Sequence, residues 1–288
     1  MQEPEDQDVL DARWKKKGGQ IEHLSGEIQR LRYNVSTDLK SDDEKLALTA
    51  LVVALMDKTA ERVGNETSAE NGHHGITGLK KRHVSIDGNK ITLNYTGKSG
   101  VDQDKSFSDE TIAKYLKQAI KNSPTAFVFA TSDKFKIKAD KINRYLDDFG
   151  ISAKDVRGYS ANKWIINKLS DIVPEETDVK RKRQFNKIVK SVAEKIGHGR
   201  ATLKKHYLIP ELEIAFIERG EVINISEAKK YVAGGEIESE PVVIENPTPI
   251  VSETEEIKSE PKKNVIDRLI NLFTDNPYIK ILTGRGID

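Results

Sequence analysis

The segment from Ser41 to Glu61 constrains the fold more than any other part of the sequence. Apolar residues occupy nearly every side of a helix over Leu46–Met56, and a helix of that kind must be buried by other elements. Ser41 and Glu44 have the spacing of a capping box, so we predict a helix that begins at Ser41 and runs to about Glu61. The apolar stretch is shorter than the roughly 20 residues that cross a bilayer. The sequence therefore predicts a domain built around one central helix, and no membrane association.

A small β-sheet is predicted after the central helix. Apolar and polar residues alternate over 84–86 and again over 91–95, on either side of an Asp-Gly-Asn turn, which is the pattern of a half-buried hairpin. A second Gly-containing turn holds Lys98 and leads to a third strand that ends near Phe107. We therefore predict an antiparallel meander that presents Lys98 on its second turn.

The rest of the chain has mostly helical periodicity. Predicted helices begin at Ser108, Lys138, Ser152 and Gln184, and a short one holds Tyr207 and stops near Pro210. A last helix covers Glu211 to about Lys230, with Gly220 and the β-branched run at 222–225 as candidate interruptions. The basic run at 180–183 is predicted to lie between two of these helices. The expected fold class is mainly α with a small antiparallel β-sheet (α+β).

Composition divides the chain into four parts. We predict a flexible N-terminal arm at residues 1–20 and a folded domain at residues 21–233. Pro, Glu, Ser and Thr dominate residues 234–263, which predicts a disordered acidic linker. Residues 264–288 carry an apolar stripe and are predicted to form an amphipathic helix and tail, in which the helix at 264–283 is a candidate docking element for a protein partner.

Charge and residue types limit the chemistry. Residues 235–288 hold 6 basic and 11 acidic residues, which leaves 41 basic and 35 acidic residues for 1–234 from totals of 47 and 46. A mildly basic body suits a polyanionic ligand. The chain has no cysteine, so disulfides, thiolate zinc sites and a cysteine nucleophile are excluded. It also lacks a Gly-rich phosphate-binding loop and carboxylates at metal spacing, and we expect neither a cofactor nor a metal.

Five short blocks carry more specific information. They are Arg62-Val63-Gly64-Asn65-Glu66, Gly75-Ile76-Thr77-Gly78-Leu79 with Arg82-His83-Val84, Gly97-Lys98-Ser99-Gly100, Ala153-Lys154-Asp155-Val156-Arg157, and His198 through Tyr207. In order and spacing they resemble the type IB DNA topoisomerases of the short viral and bacterial kind, over roughly residues 25–215. The resemblance implies the topoisomerase IB or tyrosine recombinase catalytic fold, with residues 21–233 as a DNA-cleaving and rejoining domain.

The resemblance implies that Tyr207 attacks a DNA phosphodiester. The pentacoordinate state that follows gains negative charge on the nonbridging oxygens, and a guanidinium group donates to such oxygens in a fixed fork. Arg62 and Arg157 are the candidate pair for this role, and His198 is the candidate third donor.

The same resemblance implies a 3′-phosphotyrosyl link and a free 5′-hydroxyl. Lys98 would protonate the departing 5′ oxygen as a general acid, and Lys154, about one helical turn before Arg157, would assist it. Rejoining reverses the attack, so relaxation of supercoiled DNA would need neither ATP nor a metal.

Double-stranded DNA is the expected partner. The residues expected to contact it are Lys80, Lys81, Arg82, His83, Lys204 and Lys205. We interpret the basic run at 180–183 as a clamp on the DNA backbone, in preference to a nuclear import signal. The expected location is the cytoplasm, either on a bacterial nucleoid or as a protein encoded by a virus or phage, in preference to the nucleus.

Alternatives remain open. A tyrosine recombinase would use the same residues for strand exchange, although Lys154 stands where recombinases usually have histidine, and a DNA-binding module would use the basic surface alone. Arg62 could form a structural salt bridge with Glu61 or Glu66, and Tyr207 could be a core residue. Only about 20–25 residues precede the region of resemblance at roughly 25–215, so we expect the β-rich upper clamp domain of the family to be absent.

Overall fold

The computed structural model describes residues 18–65, 69 and 71–232. The chain is mainly α-helical with one small antiparallel sheet, as predicted. Most of the predicted arm, the linker at 234–263 and the helix and tail at 264–288 lie outside the described residues. The elements are α1 (Gly19–Asp38), α2 (Glu44–Thr59), β1 (Val84–Asp87), β2 (Lys90–Thr96), β3 (Asp102–Ser108), α3 (Glu110–Asn122), α4 (Ala139–Asp147), α5 (Ala153–Ser170), α6 (Asp178–Lys195), α7 (Arg200–His206), α8 (Pro210–Ile214), a π-helical turn (Ala215–Arg219) and α9 (Ile225–Val232).

The helix α2 is the central helix that the sequence predicts. It packs against α1, α3, α4 and α5, and its interior residues are almost all buried. None of the helices in the described residues is long and apolar enough to span a bilayer. The apolar character of α2 is therefore satisfied within the protein core.

The predicted capping box at the start of α2 is wrong. The N-cap is Asp43, whose carboxylate accepts the backbone N–H of Lys45 at 2.9 Å. The Ser41 hydroxyl instead accepts the N–H of Asp43, and the Glu44 carboxylate accepts the N–H and hydroxyl of Ser132. Several polar residues in succession can cap this helix. The Glu44 carboxylate is engaged by the distant Ser132 and is therefore not available for a capping box.

No prediction covers α1, which begins inside the expected N-terminal arm. Its buried residues follow a three- and four-residue spacing and face α2 and α5. They are Ile21, Leu24, Ile28, Leu31 and Val35. This spacing is the ordinary mark of an amphipathic helix, so α1 could have been predicted from the sequence.

The three strands form the predicted meander in the order β1-β2-β3, with both pairs antiparallel. Ile91 on β2 lies opposite Ile86 on β1 and Phe107 on β3. Alternate residues of β2 are buried, as expected for a sheet with one face on the core. The turn between β2 and β3 is a 3₁₀ turn at Lys98–Gly100, which confirms the predicted position of Lys98.

Two predicted helix starts differ from those in the structure. Asp109, and not Ser108, caps α3, since its carboxylate accepts the N–H of Ile112 at 3.0 Å. The helix α6 begins at Asp178, before the predicted start at Gln184.

The basic run at 180–183 therefore lies within the first turns of α6 and not between two helices. Arg181 in this run is buried, so it does not form part of a DNA-facing clamp. Its guanidinium donates to the carbonyls of Glu175, Glu176, Ile217 and Glu218. Arg181 thus ties the start of α6 to the π-helical turn.

Candidate active site

Four segments of the chain meet at a cleft of about 290 Å³. They are the loop after α2, the turn between β2 and β3, the start of α5 and the end of α7. The cleft lining includes five of the six predicted catalytic residues, which are Arg62, Lys98, Lys154, Arg157 and Tyr207. The sixth, His198, is hydrogen-bonded to the Arg62 side chain. The fold thus brings all six together from distant parts of the sequence.

Arg62 lies on a loop whose path depends on two glycines. The helix α2 is terminated by Ala60, which has a left-handed backbone with φ 54°. The following loop crosses the chain at Gly75, where a Cβ would lie 2.4 Å from Gly64 Cα and 2.8 Å from the Arg62 carbonyl oxygen. That carbonyl accepts the N–H of Ile76 at 2.9 Å. Glycine at position 75 therefore lets the backbone around Arg62 be held by direct contact.

The alternative of a structural salt bridge for Arg62 is not found with Glu61. The Glu61 carboxylate instead accepts the Tyr95 hydroxyl and forms an ion pair with the Lys105 ammonium group. The Arg62 Nη2 donates to His198 Nε2 at 3.0 Å. The other acidic neighbour, Glu66, lies outside the described residues.

Arg157 is a buried cation, and two of its hydrogen-bond donors have no partner. Its side chain is on α5 and the residue is only 4% exposed. One nitrogen, Nη2, donates to the Ile196 carbonyl, whereas Nε and Nη1 have no hydrogen-bond partner in the structure. Burial lowers the pKa of Arg157 below its usual value. Unpaired buried donors are costly, so this arrangement suits an anion that enters the cleft.

His198 is held between the two arginines and the tyrosine. Its ring centroid lies 5.3 Å from that of Tyr207, and it accepts a hydrogen bond from Arg62. Burial, followed by the positive charges of Arg157 and Arg62, lowers the pKa of His198 to about 4. The imidazole is therefore neutral at pH 7 in the DNA-free protein, and a neutral ring can still donate one N–H.

The lowered pKa of His198 predicts a pH dependence of stability. An unfolded histidine has a pKa of about 6.5, so the folded state binds fewer protons and its stability falls as pH drops from about 6.5 towards 4. Burial also lowers the pKa of His83 to about 4, so His83 likewise makes the folded protein less stable as the pH falls. We expect the Tm of His198→Gln to lose less than that of the wild type between pH 7 and 4.5, by at least about 2 °C, in calorimetry. Equal losses in the two proteins would contradict this account.

Tyr207 directly follows α7 and is half-buried. The side chain of Asn162 on α5 fixes its backbone: Nδ2 donates to the Tyr207 carbonyl at 2.7 Å, and Oδ1 accepts the N–H of Ile209 at 2.9 Å. Gly158, one turn earlier on α5, lies beside the tyrosine ring, since a Cβ there would make an ordinary contact of 3.8 Å with Tyr207 Cδ1. Arg157 lies next to that glycine, and its guanidinium carbon is 5.8 Å from the ring centroid.

Asn162 was missed by sequence reasoning. The residue is fully buried, and nothing in the local pattern distinguishes it from other polar residues of a helix. We expect Asn162→Ala to leave two backbone groups unpaired and to lower the free energy of unfolding by about 1–3 kcal/mol. Because the predicted nucleophile would lose its anchor, the predicted DNA cleavage should also slow by about 10-fold or more at temperatures where the variant is folded. Denaturant unfolding and single-turnover cleavage measure the two effects, and an unchanged cleavage rate would limit Asn162 to a structural role.

The two predicted proton donors lie on exposed positions at the cleft. Lys98 is on the 3₁₀ turn after β2, and Lys154 is in the first turn of α5. Groups of three or more His, Asp or Glu side chains that could hold a metal are not found in the part of the chain that the structure describes.

The six predicted DNA-contacting residues have different environments. Arg82 and Lys205 are exposed. Lys81 donates to the Ser123 carbonyl at 2.7 Å, while Lys80 lies over the Phe127 ring and Lys204 pairs with Glu213.

His83 is buried, and its ring packs against His74 at a centroid distance of 4.6 Å. Its Nδ1 accepts the N–H of Lys80. Its side chain therefore supports the fold from inside, and we do not retain it as a DNA contact.

Several relatives of the chain are DNA topoisomerases. The DNA topoisomerase 1B of Acanthamoeba polyphaga mimivirus is 27% identical over 179 residues, which are 57% of this chain and 53% of that protein. The DNA topoisomerase 1B of vaccinia virus (strain Copenhagen) is 26% identical over 142 residues, which are 48% of this chain and 44% of that protein. The chain thus spans about half the length of these relatives.

A solved structure of the XerH site-specific recombinase bound to difH substrate aligns with 64% of this chain and 49% of that chain, at 14% identity and a TM-score of 0.41. The family model described as the catalytic core of eukaryotic DNA topoisomerase I matches residues 10–213. This match covers more than half of the 288 residues and includes all six residues gathered at the cleft. The chain therefore belongs to the DNA topoisomerase I catalytic core family, the type IB topoisomerases.

Proposed function

We propose that this chain cleaves and rejoins one strand of double-stranded DNA and thereby relaxes supercoils without ATP or a metal. The observation that carries the proposal is the buried Arg157, whose Nε and Nη1 lack partners and whose guanidinium lies beside the Tyr207 ring. An anion-binding group next to a nucleophile is what attack on a phosphodiester requires.

In the proposed reaction, the Tyr207 oxygen attacks phosphorus and its phenolic proton passes to water in the open cleft. The bond between phosphorus and the 5′ oxygen breaks, which leaves a 3′-phosphotyrosyl link and a 5′-hydroxyl. Lys98 supplies the proton that the 5′ oxygen needs, with Lys154 assisting. Arg62, Arg157 and His198 donate hydrogen bonds to the nonbridging oxygens as their charge increases. Attack by the 5′-hydroxyl on the link reverses every step, so the bond energy is conserved.

Supercoiled plasmid incubated with the protein, EDTA and no ATP tests the proposal. We expect a ladder of relaxed topoisomers and, on quenching with detergent, protein covalently attached to nicked DNA. Covalent capture confined to one specific sequence, without relaxation, would favour strand exchange by a recombinase. DNA binding with no adduct on any substrate would leave only a binding module.

The role of Lys98 predicts an effect that depends on the leaving group. Lys98→Ala should slow cleavage of ordinary DNA by about 10²–10⁴-fold. Cleavage should return to nearly the wild-type rate when sulfur replaces the bridging 5′ oxygen, because a thiol with a pKa of about 8.5 leaves as its anion without a proton. Lys90→Ala, at the far end of β2, is the matched control with no loss. Equal slowing of both substrates would assign Lys98 to DNA binding.

Binding to DNA would use the exposed cations near the cleft. We propose that Arg82, Lys205 and the partly exposed Lys80, Lys81 and Lys204 contact phosphates, which makes affinity fall steeply with salt. A cytoplasmic location, on a bacterial nucleoid or as a protein encoded by a virus or phage, is part of this proposal.

A further inference from the structure

An ion pair is buried next to Arg62. Glu61 Oε1 lies 3.1 Å from Lys105 Nζ, and the two side chains are only 5% and 12% exposed. Glu61 Oε2 accepts the Tyr95 hydroxyl at 2.6 Å. Burying such a pair costs about as much in desolvation as the attraction returns, and apolar replacements of both residues are often equally stable or more stable. The Glu61–Lys105 pair therefore contributes little to the net free energy of folding. Its other contacts indicate a different role.

Lys105 also reaches the segment that carries His198. Its Nζ donates to the carbonyl of Lys195, the last residue of α6. The next carbonyl, that of Ile196, accepts from Arg157. Two cations thus hold consecutive carbonyls of the corner at residues 195–198, which we call the His198 corner.

The strand β3 contacts the same corner with a second residue. Gly197 has φ +68°, and a Cβ on it would lie 2.5 Å from Gln103 Oε1. The buried Gln103 also donates from Nε2 to the Val101 carbonyl at 3.2 Å, next to the turn that holds Lys98. Through Gln103 and Lys105, β3 connects the Lys98 turn to the His198 corner, and through Glu61 it connects that corner to the Arg62 loop.

We propose that Lys105, held in place by Glu61, is a positioning residue that fixes the His198 corner relative to Arg62 for phosphodiester cleavage. Lys105 acts through the Lys195 carbonyl and does not touch the DNA. The proposal rests on the cleavage activity proposed above, and it adds a function for an ion pair that the reaction scheme does not use.

The double variant Glu61→Leu, Lys105→Leu separates positioning from stability. Because both charges are removed together, no unpaired charge is left buried, but the Tyr95 hydroxyl and the Lys195 carbonyl lose their partners. We therefore expect a folded protein with a moderately lower Tm and unchanged DNA affinity. Its single-turnover cleavage rate should fall by about 10- to 100-fold, since misplacement by about 1 Å carries a cost of that order. Lys105→Arg keeps a donor for the Lys195 carbonyl and should retain most of the rate. Lys190→Met, on the exposed face of α6, is the control without effect.

A double-mutant cycle identifies His198 as the residue that is positioned. His198→Gln should lower the cleavage rate much less when it is added to the variant Glu61→Leu, Lys105→Leu than when it is made in the wild type, because the His198 ring is already misplaced in that variant. If the Leu/Leu protein does not fold, the pair Glu61→Gln, Lys105→Met, which can keep the bond to Tyr95, provides the same readouts. A double variant that cleaves at the wild-type rate would overturn this inference and leave the proposed function intact. Losses of cleavage rate that are fully additive in the cycle would do the same. A wild-type protein that binds DNA without cleaving it overturns the proposed function, and the inference with it.

Discussion

Replacement of Tyr207 by phenylalanine is expected to abolish covalent attachment to DNA and to lower the cleavage rate by more than about 10⁴-fold. The substitution removes only the hydroxyl group that forms the new bond. The ring contact with His198 and the backbone bond to Asn162 do not involve that hydroxyl, so the fold and the affinity for DNA should be retained. Cleavage of a labelled duplex under single-turnover conditions measures the loss.

Tyr33→Phe is the matched control for this experiment. Tyr33 is 72% exposed on α1, and its substitution should leave the cleavage rate unchanged. Residual cleavage by Tyr207→Phe within about 100-fold of the wild-type rate would mean that another group attacks the phosphate. Loss of both folding and cleavage would make Tyr207 a packing residue, which is the alternative that its half-buried position leaves open.

Arg157→Met should separate activity from stability. We expect the cleavage rate to fall by about 10²–10³-fold, the usual effect of removing one preorganised donor to an oxyanion. Stability should change little, with a Tm lowered by no more than about 4 °C or even raised. The reason is that burial lowers the pKa of Arg157 and leaves two of its nitrogens without partners, so the cation is unfavourable until an anion binds.

Lysine at position 157 is the informative comparison. A single ammonium group cannot replace the guanidinium fork, so Arg157→Lys should also be severely impaired. Calorimetry and single-turnover cleavage together distinguish a role of Arg157 in the reaction from a role in stability. A large loss of Tm with near-normal cleavage in the folded fraction would show that Arg157 mainly supports the structure.

The sequence predicts the parts of the fold that depend on local patterns. The apolar α2, the meander and the Lys98 turn follow from periodicity and turn residues within a few positions of each other. Helix starts are less predictable, because Ser41, Asp43 and Ser108 compete with neighbouring residues as caps and tertiary partners decide between them. The buried Arg181 illustrates the same limit, since its acceptors on the π-helical turn are far away in sequence.

The site divides in a similar way. The residues proposed to carry the chemistry stand in recognisable blocks, so the six residues gathered at the cleft can be named before the fold is known. The residues proposed to position them do not: Asn162 contacts Tyr207 across 45 residues, and Lys105 contacts the His198 corner across 90. Their environment arises only when α5, α7 and β3 come together. Adjacent charges in the sequence are also a poor guide to ion pairs, since Glu61 pairs with Lys105 rather than with Arg62.

The most direct test of the central claim is the chemical identity of the link between protein and DNA. A nicked duplex that releases a short strand after cleavage would trap the adduct, and mass spectrometry of its tryptic peptides would locate the attached nucleotide. We predict a nucleotide joined through its 3′ phosphate to the oxygen of Tyr207, with a free 5′-hydroxyl on the released strand. Attachment to another residue, a link through a 5′ phosphate, or bound DNA with no adduct would contradict this account.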